Sequence, residues 1–215
     1  MKVVVIDYGM CNLLSVYNAL KSIGIDSIVT TDPAALAFAD AVILPGVGAF
    51  EDGMTGLRQK GFLGPLNAYV GKGRPLLGIC LGMQLLMDKS YEFGEHEGLH
   101  LIKGEVVPAK KTGTTGVPLK IPHVGWNGLL KSKQEWDGTI LEDLPPGTEM
   151  YFIHSFVAAP QDGTCILTET EYGGHRFCSV VASDNVYGCQ FHPEKSATCG
   201  LKVLKNFVSL KRSTA

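Results

Sequence analysis

The stretch Gly78-Ile79-Cys80-Leu81-Gly82 constrains this chain more than any other: a cysteine stands with glycine two residues away on each side, between an apolar run and a helix-forming run. Leu76, Leu77 and Ile79 read as a buried strand, and Leu81 to Met87 as a helix. A sharp strand-to-helix turn between two such elements holds its central side chain in a strained, exposed pose, and flanking glycines relieve the crowding. A thiol at a helix N-terminus feels the positive end of the macrodipole, which favours thiolate, the form that attacks carbonyl carbon. The segment points to acyl transfer.

The first half supplies a scaffold for that turn. Strand and helix signals alternate as Val3 to Ile6, Leu13 to Ile23, Ile25 to Val29, a helix opened by Asp32-Pro33, then Ala41 to Leu44, the βαβ rhythm of a parallel sheet. In the first helix Leu13, Val16, Tyr17, Leu20 and Ile23 recur at helical spacing, with Asn12 as its cap and Gly24 past its end. Further helices are expected at Phe50 to Arg58 and Pro65 to Val70. From about Leu99 the texture changes to short strands: Leu101 to Val107, Leu119 to Ile121, Met150 to Phe156, Cys165 to Thr170, Phe177 to Ala182 and Val186 to Phe191. A last helix, Leu201 to Leu210, is expected to end in Lys211-Arg212. The expected fold is α/β and flavodoxin-like, a doubly wound, mainly parallel sheet with antiparallel additions in the C-terminal half, forming a single domain over residues 1–215. Ligands of such a sheet sit beyond the carboxyl ends of its strands. Asp7-Tyr8-Gly9, Pro45-Gly46-Val47-Gly48 and Cys80 all fall there.

Composition narrows the class. A chain of 215 residues buries a full core without disulfides or metals. Its net charge of -2 leaves no electrostatic footprint for nucleic acid or an anionic membrane. The apolar run Val3 to Ile6 is cut by Asp7, too short for a signal segment or a bilayer span, so a cytoplasmic location is expected. Cys11, Cys80, Cys165, Cys178, Cys189 and Cys199 contain no CxxC pair, and no ligand spacing supports a metal. Neither metal nor cofactor is expected. Pro45-Gly46-Val47-Gly48 lacks the Lys-Ser/Thr or GxGxxG of a phosphate cradle.

Cysteine hydrolysis needs a base near the sulfur and a group to orient it. Phe191-His192-Pro193-Glu194 offers both: His192 closes an apolar strand, and Glu194, two residues on, points to the same side in extended geometry. A carboxylate beside imidazole fixes its tautomer and stabilises the imidazolium. The backbone N–H of Leu81 is one donor for a developing oxyanion, and Val47, between two glycines that let its peptide swing, is the expected second. His123 and His154 read as structural histidines.

The combination of Pro45-Gly46-Val47-Gly48, Gly78-Ile79-Cys80-Leu81-Gly82-Met83-Gln84 and His192-Pro193-Glu194 resembles the class I (triad) glutamine amidotransferases. Asp7-Tyr8-Gly9, Pro122-His123-Val124-Gly125-Trp126-Asn127, Tyr151-Phe152-Ile153-His154-Ser155 and Pro193-Glu194-Lys195-Ser196 resemble signatures of one branch, the glutaminase subunits of imidazole glycerol phosphate synthases. The resemblance implies hydrolysis of L-glutamine by Cys80, His192 and Glu194 through a glutamyl thioester. Gly48, Gln84 and Ser155 would hold the glutamine. Ammonia would pass to a (β/α)8 barrel cyclase subunit, in a heterodimer serving histidine biosynthesis. Asn12, Trp126, Tyr151 and Lys195 would lie at the mouth the partner covers. The chain departs from the family at Cys11, usually glycine, and Leu14, commonly arginine; a positive φ at Cys11 would require a rebuilt loop. The alternatives are the same glutaminase feeding another synthase, such as one of sugar amidation, and a noncatalytic flavodoxin-like regulatory subunit.

Overall fold

The computed structural model describes residues 1–210; the expected Lys211-Arg212 terminus of the last helix lies outside them. The first half runs β1 (Val3–Ile6), α1 (Leu13–Ser22), β2 (Ser27–Thr30), a 3-10 helix (Pro33–Phe38), β3 (Ala41–Gly46), α2 (Phe50–Gln59), α3 (Leu63–Val70), β4 (Leu76–Cys80) and α4 (Leu81–Leu85). The second half is mainly strand: β5 (Lys89–Ser90), β6 (His96–Glu97), β7 (Gly104–Pro108), β8 (His123–Gly128), β9 (Leu130–Lys131), β10 (Glu149–His154), β11 (Phe156–Pro160), β12 (Ile166–Tyr172), β13 (His175–Ser183) and β14 (Val186–Cys189). A 3-10 helix (Pro193–Lys195) and α5 (Ala197–Ser209) follow.

Eight strands form the central sheet in the order β2-β1-β3-β4-β14-β13-β12-β9. The first five are mutually parallel and the last three are added antiparallel, in keeping with the expected fold class, except that β14, expected among the antiparallel additions, pairs parallel with β4. Of the parallel strands, β1, β3, β4 and β14 are buried on both faces while β2 forms the exposed edge, so alternate residues of the buried strands feed two cores. Val4, Ile6, Val42 and Leu44 pack with Phe50, Leu57 and Leu66 of α2 and α3. Val3, Val5, Ala41 and Ile43 pack with Val16 and Leu20 of α1 and with Val203, Leu204 and Phe207 of α5. Burying each such side chain contributes about 1.5–3 kcal/mol. β8 and β10 pair separately, and β11, β7, β5 and β6 form a four-stranded sheet.

Several local expectations are corrected. Asn12 occupies the N-cap position of α1 without capping a backbone N–H; its Oδ1 instead accepts from Ser15 Oγ at 3.1 Å. Asp32 does cap Ala34 N–H, but the segment it opens is a 3-10 helix rather than an α-helix. The helix after Cys80 ends at Leu85, because its last turn tightens to bonds from Leu86 N–H to the Met83 carbonyl and from Met87 N–H to the Gln84 carbonyl. Leu119 to Ile121 is not a strand; the strand begins after it, at His123. The stretch from Met150 to Phe156 is split at Ser155 into β10 and β11, which join different sheets.

Candidate active site

Cys80 is the last residue of β4 and stands immediately before α4, with φ 53° and ψ −109°. Such a pose costs a non-glycine residue of order 1–3 kcal/mol and persists only where the surroundings fix it. The two glycines explain how they do so. A Cβ on Gly78 would lie 2.6 Å from the Gly82 carbonyl oxygen, and one on Gly82 would overlap the Leu44 carbonyl. Only chain without side chains fits where the helix folds back on its own strand at Gly78 and meets β3 at Gly82.

His192 Nδ1 donates to Glu194 Oε1 at 2.8 Å, and both side chains are 2 % exposed. The pairing is as expected, but its geometry is not. β14 ends at Cys189, and His192 precedes the 3-10 helix that Pro193 opens, so the turn, rather than an extended strand, folds Glu194 back onto the imidazole. Burial alone would lower the basicity of His192; the Cys80 sulfur and the Glu194 carboxylate outweigh it and raise its pKa to about 9. His192 Nε2 is buried and makes no hydrogen bond in this arrangement. The Cys80 thiol lies 3.7 Å from the Ile153 carbonyl and 3.7 Å from Gln190 Nε2.

These groups open on a cavity of about 250 Å³ lined by Val47, Gly48, Cys80, Leu81, Gln84 and Ser155, among others. Residues far apart in sequence are thus gathered at one end of the sheet. The family model of the class-I glutamine amidotransferases ("Glutamine amidotransferase class-I") matches residues 4–210. The chain belongs to the class-I glutamine amidotransferases. It is 45% identical over 208 residues to "Imidazole glycerol phosphate synthase subunit HisH 1" of Legionella pneumophila (strain Lens), covering 96% of this chain and 98% of that protein. It is 47% identical over 208 residues to the HisH subunit of Aquifex aeolicus, covering 96% of each. Among solved structures, "Structure of PurLQS from Thermotoga maritima" superposes with a TM-score of 0.72 at 19% identity, over 97% of both chains, a likeness of fold.

Within this amidotransferase site, the swinging peptide expected at Val47 has its N–H donating to the Met10 carbonyl at 2.8 Å. Gly48, with φ 108°, sits against the Met10 side chain. Cys11 is not among the positive-φ residues, which removes the expected reason for a rebuilt loop. Burial pushes its thiol up to about 11, and the protonated sulfur donates to the Pro45 carbonyl at 3.4 Å. Gln84 is nearly buried, its Nε2 donating to the Phe156 carbonyl at 3.0 Å and to Gln190 Oε1 at 3.1 Å.

Sequence reasoning missed Gln190 and Glu92. Gln190 is fully buried and links Gln84 to the Cys80 sulfur; its signal was a polar residue in the apolar run Val186 to Phe191. Glu92 lines the cavity and accepts from Phe50 N–H at 2.7 Å. A lone glutamate in a polar loop gave no signal. His123 and His154, read as structural, contact each other, His123 Nδ1 to His154 Nε2 at 3.1 Å, and His123 Nε2 contacts Asn127 Oδ1 at 2.8 Å; His154 also lines the cavity. Burial, with His123 nearby, lowers His154 to about 3.

Asn12, Trp126, Tyr151 and Lys195 lie outside the cavity. Asn12 and Lys195 are exposed, and α1 packs on the 3-10 helix that carries Lys195. Trp126 faces Tyr151 across the β8–β10 pair, ring centroids 5.9 Å apart. Val124 and Ile153 form the next cross-strand pair on the same face and, like Trp126, are exposed. Among the described residues no group of three or more His, Cys, Asp or Glu is arranged to hold a metal ion, and no helix is long and apolar enough to cross a membrane.

Proposed function

We propose that this chain acts as one amidotransferase domain, the glutaminase subunit of an imidazole glycerol phosphate synthase. It hydrolyses L-glutamine and delivers ammonia to a (β/α)8 barrel cyclase subunit in histidine biosynthesis. The buried His192–Glu194 pair at 2.8 Å, whose His192 lines the same cavity as Cys80, carries this reading. The name of the relatives at 45% and 47% identity supports the choice of synthase.

The Cys80 thiolate attacks the side-chain amide carbon of glutamine, and the His192 imidazolium gives its proton to the departing ammonia. Water then cleaves the glutamyl thioester, with neutral His192 as base. Glu194 keeps the Nδ1 hydrogen in place, so that Nε2 serves both steps. The Leu81 N–H, at the first position of α4, supplies one oxyanion donor and Val47 N–H the other. A missing donor of this kind costs about 10²–10³ in turnover. Gln84, Gly48 and the Ser155 backbone hold the glutamine, and Glu92 is the counter-charge for its α-ammonium group.

Ammonia released into water is mostly protonated and no longer nucleophilic, so the mouth is covered by the partner. The exposed Val124, Trp126 and Ile153 with the half-buried Tyr151 give the partner an apolar surface, with Asn12 and Lys195 at its rim. Because Val47 N–H rests on Met10, the oxyanion site is complete only after that peptide turns, which binding of the partner with its nucleotide favours.

The test is glutamine hydrolysis by the isolated chain and by its complex with a cyclase subunit carrying its nucleotide. The complex should be faster by about 10²-fold or more, the worth of one oxyanion donor. Equal rates, or no complex at all, would refute the assignment.

A further inference from the structure

Tyr8 lies two residues beyond β1, beneath the oxyanion loop, and its hydroxyl is the orphan of the region. It is buried, 2 % exposed, and makes no hydrogen bond. Its polar neighbour is the Cys11 sulfur, a weak acceptor that is out of hydrogen-bond geometry with it and whose own S–H is directed to the carbonyls of Pro45 and Ile6, at 3.4 Å and 3.7 Å. The ring is pinned from behind by α2, where a Cβ on Gly56 would overlap the Tyr8 carbonyl and lie 3.2 Å from ring Cδ2. In front, a Cβ on Gly46 would overlap the Tyr8 hydroxyl and stand 2.9 Å from Leu81 Cβ and 3.1 Å from Gly82 N. Gly46 is therefore held between the hydroxyl and the nucleophile turn.

An unpartnered buried hydroxyl is costly, and such atoms in native proteins call for an explanation. The peptide joining Gly46 to Val47 provides one. Its N–H now points at the Met10 carbonyl. The N–H and C=O of one peptide plane point opposite ways, so turning the N–H toward substrate swings the Gly46 carbonyl toward the loop of Tyr8 to Cys11. There it meets the Met10 carbonyl, an acceptor that repels it, unless a donor intervenes. Cys11 is already engaged with Pro45, leaving the Tyr8 hydroxyl.

We propose that Tyr8 is a positioning residue of the oxyanion hole, whose hydroxyl donates to the Gly46 carbonyl once the Gly46–Val47 peptide has turned. The proposal rests on the reading of Val47 as an oxyanion donor. It explains why a polar atom stays buried and unsatisfied in the resting arrangement: its partner arrives with activation.

Tyr8→Phe in the assembled complex is the test. Glutamine-dependent kcat should fall about tenfold, the worth of one hydrogen bond, with KM for glutamine and turnover on added ammonia both unchanged. The melting temperature should hold or rise, since phenylalanine buries no hydroxyl. Wild-type kcat would overturn the proposal, as would a loss shared by ammonia-driven turnover and melting, which marks a merely structural role. Val47→Pro, which deletes the N–H, separates the two readings. If that variant keeps full glutamine kcat, the oxyanion reading and this proposal fail together. If it loses kcat while Tyr8→Phe does not, only the role of Tyr8 is removed.

Discussion

At the scale of single residues, the proposed chemistry is concentrated in three side chains whose surroundings oppose one another. Burial works against charge on His192, while Cys80 and Glu194 hold the ring protonated to about pH 9. Two consequences follow from the sign of that shift. The folded pKa exceeds the ordinary 6.5, so this group stabilises the fold fully below about pH 6.5 and ceases to do so as pH rises through 9. The proposed mechanism needs the imidazolium to protonate ammonia, so the glutamine-dependent rate should have an alkaline limb near pH 9. Glu194→Gln removes one of the two raising groups. It should move that limb to lower pH and reduce kcat by about 10²–10⁴, the usual worth of positioned acid–base catalysis. A pH–rate profile checks this; a limb that stays near 9 in the variant would detach Glu194 from His192.

At the scale of elements, the 3-10 helix Pro193–Lys195 and the β8–β10 pair do the positioning. The 3-10 helix marks where the sequence was read correctly for an incorrect reason. A spacing of two residues fits an extended strand, but it also fits a tight turn opened by proline, and both bring His192 and Glu194 together. The β8–β10 pair was less legible. His123 to Gly128 contains two glycines and little apolar alternation, so pairing with Glu149–His154, a tertiary event, is what makes it a strand. That pairing aligns Val124 with Ile153 and Trp126 with Tyr151 on one exposed face. The Ile153 carbonyl meanwhile reaches the Cys80 thiol, and the Tyr151 carbonyl accepts from His192 N–H at 2.9 Å. One strand thus touches both the catalytic groups and the proposed docking face. Trp126→Ala should weaken the complex by roughly 1–4 kcal/mol, the range of an aromatic anchor, which titration calorimetry would read. An affinity within about threefold of wild type would remove Trp126 from the interface.

At the scale of the molecule, the parallel order β2-β1-β3-β4-β14 brings the loops after β1, β3 and β4 to one edge, where open α/β sheets bind ligands. Part of this was legible in the sequence. The Val3 to Ile6 and Ala41 to Leu44 runs, the glycine-flanked Cys80 and the His-Pro-Glu segment each carry a local pattern, and the βαβ rhythm implies parallel pairing in the first half, but the place of β14 beside β4 is a long-range pairing with no local signal. What the sequence could not carry were contacts between distant residues. Gln190 bridging Gln84 and Cys80, Glu92 folding into the cavity, and Val47 N–H resting on Met10 depend on the packing of separate loops. A backbone N–H has no signature in the amino-acid alphabet, so the resting state of the oxyanion peptide is a property of the fold alone.

The central claim is that Cys80 forms the bond to glutamine while the partner's chemistry needs only ammonia. Cys80→Ala, assembled with the cyclase subunit, tests it with one comparison of product formation on glutamine and on added ammonia. Turnover on glutamine should vanish while turnover on ammonia persists at the wild-type rate. Undiminished turnover on glutamine would contradict the account.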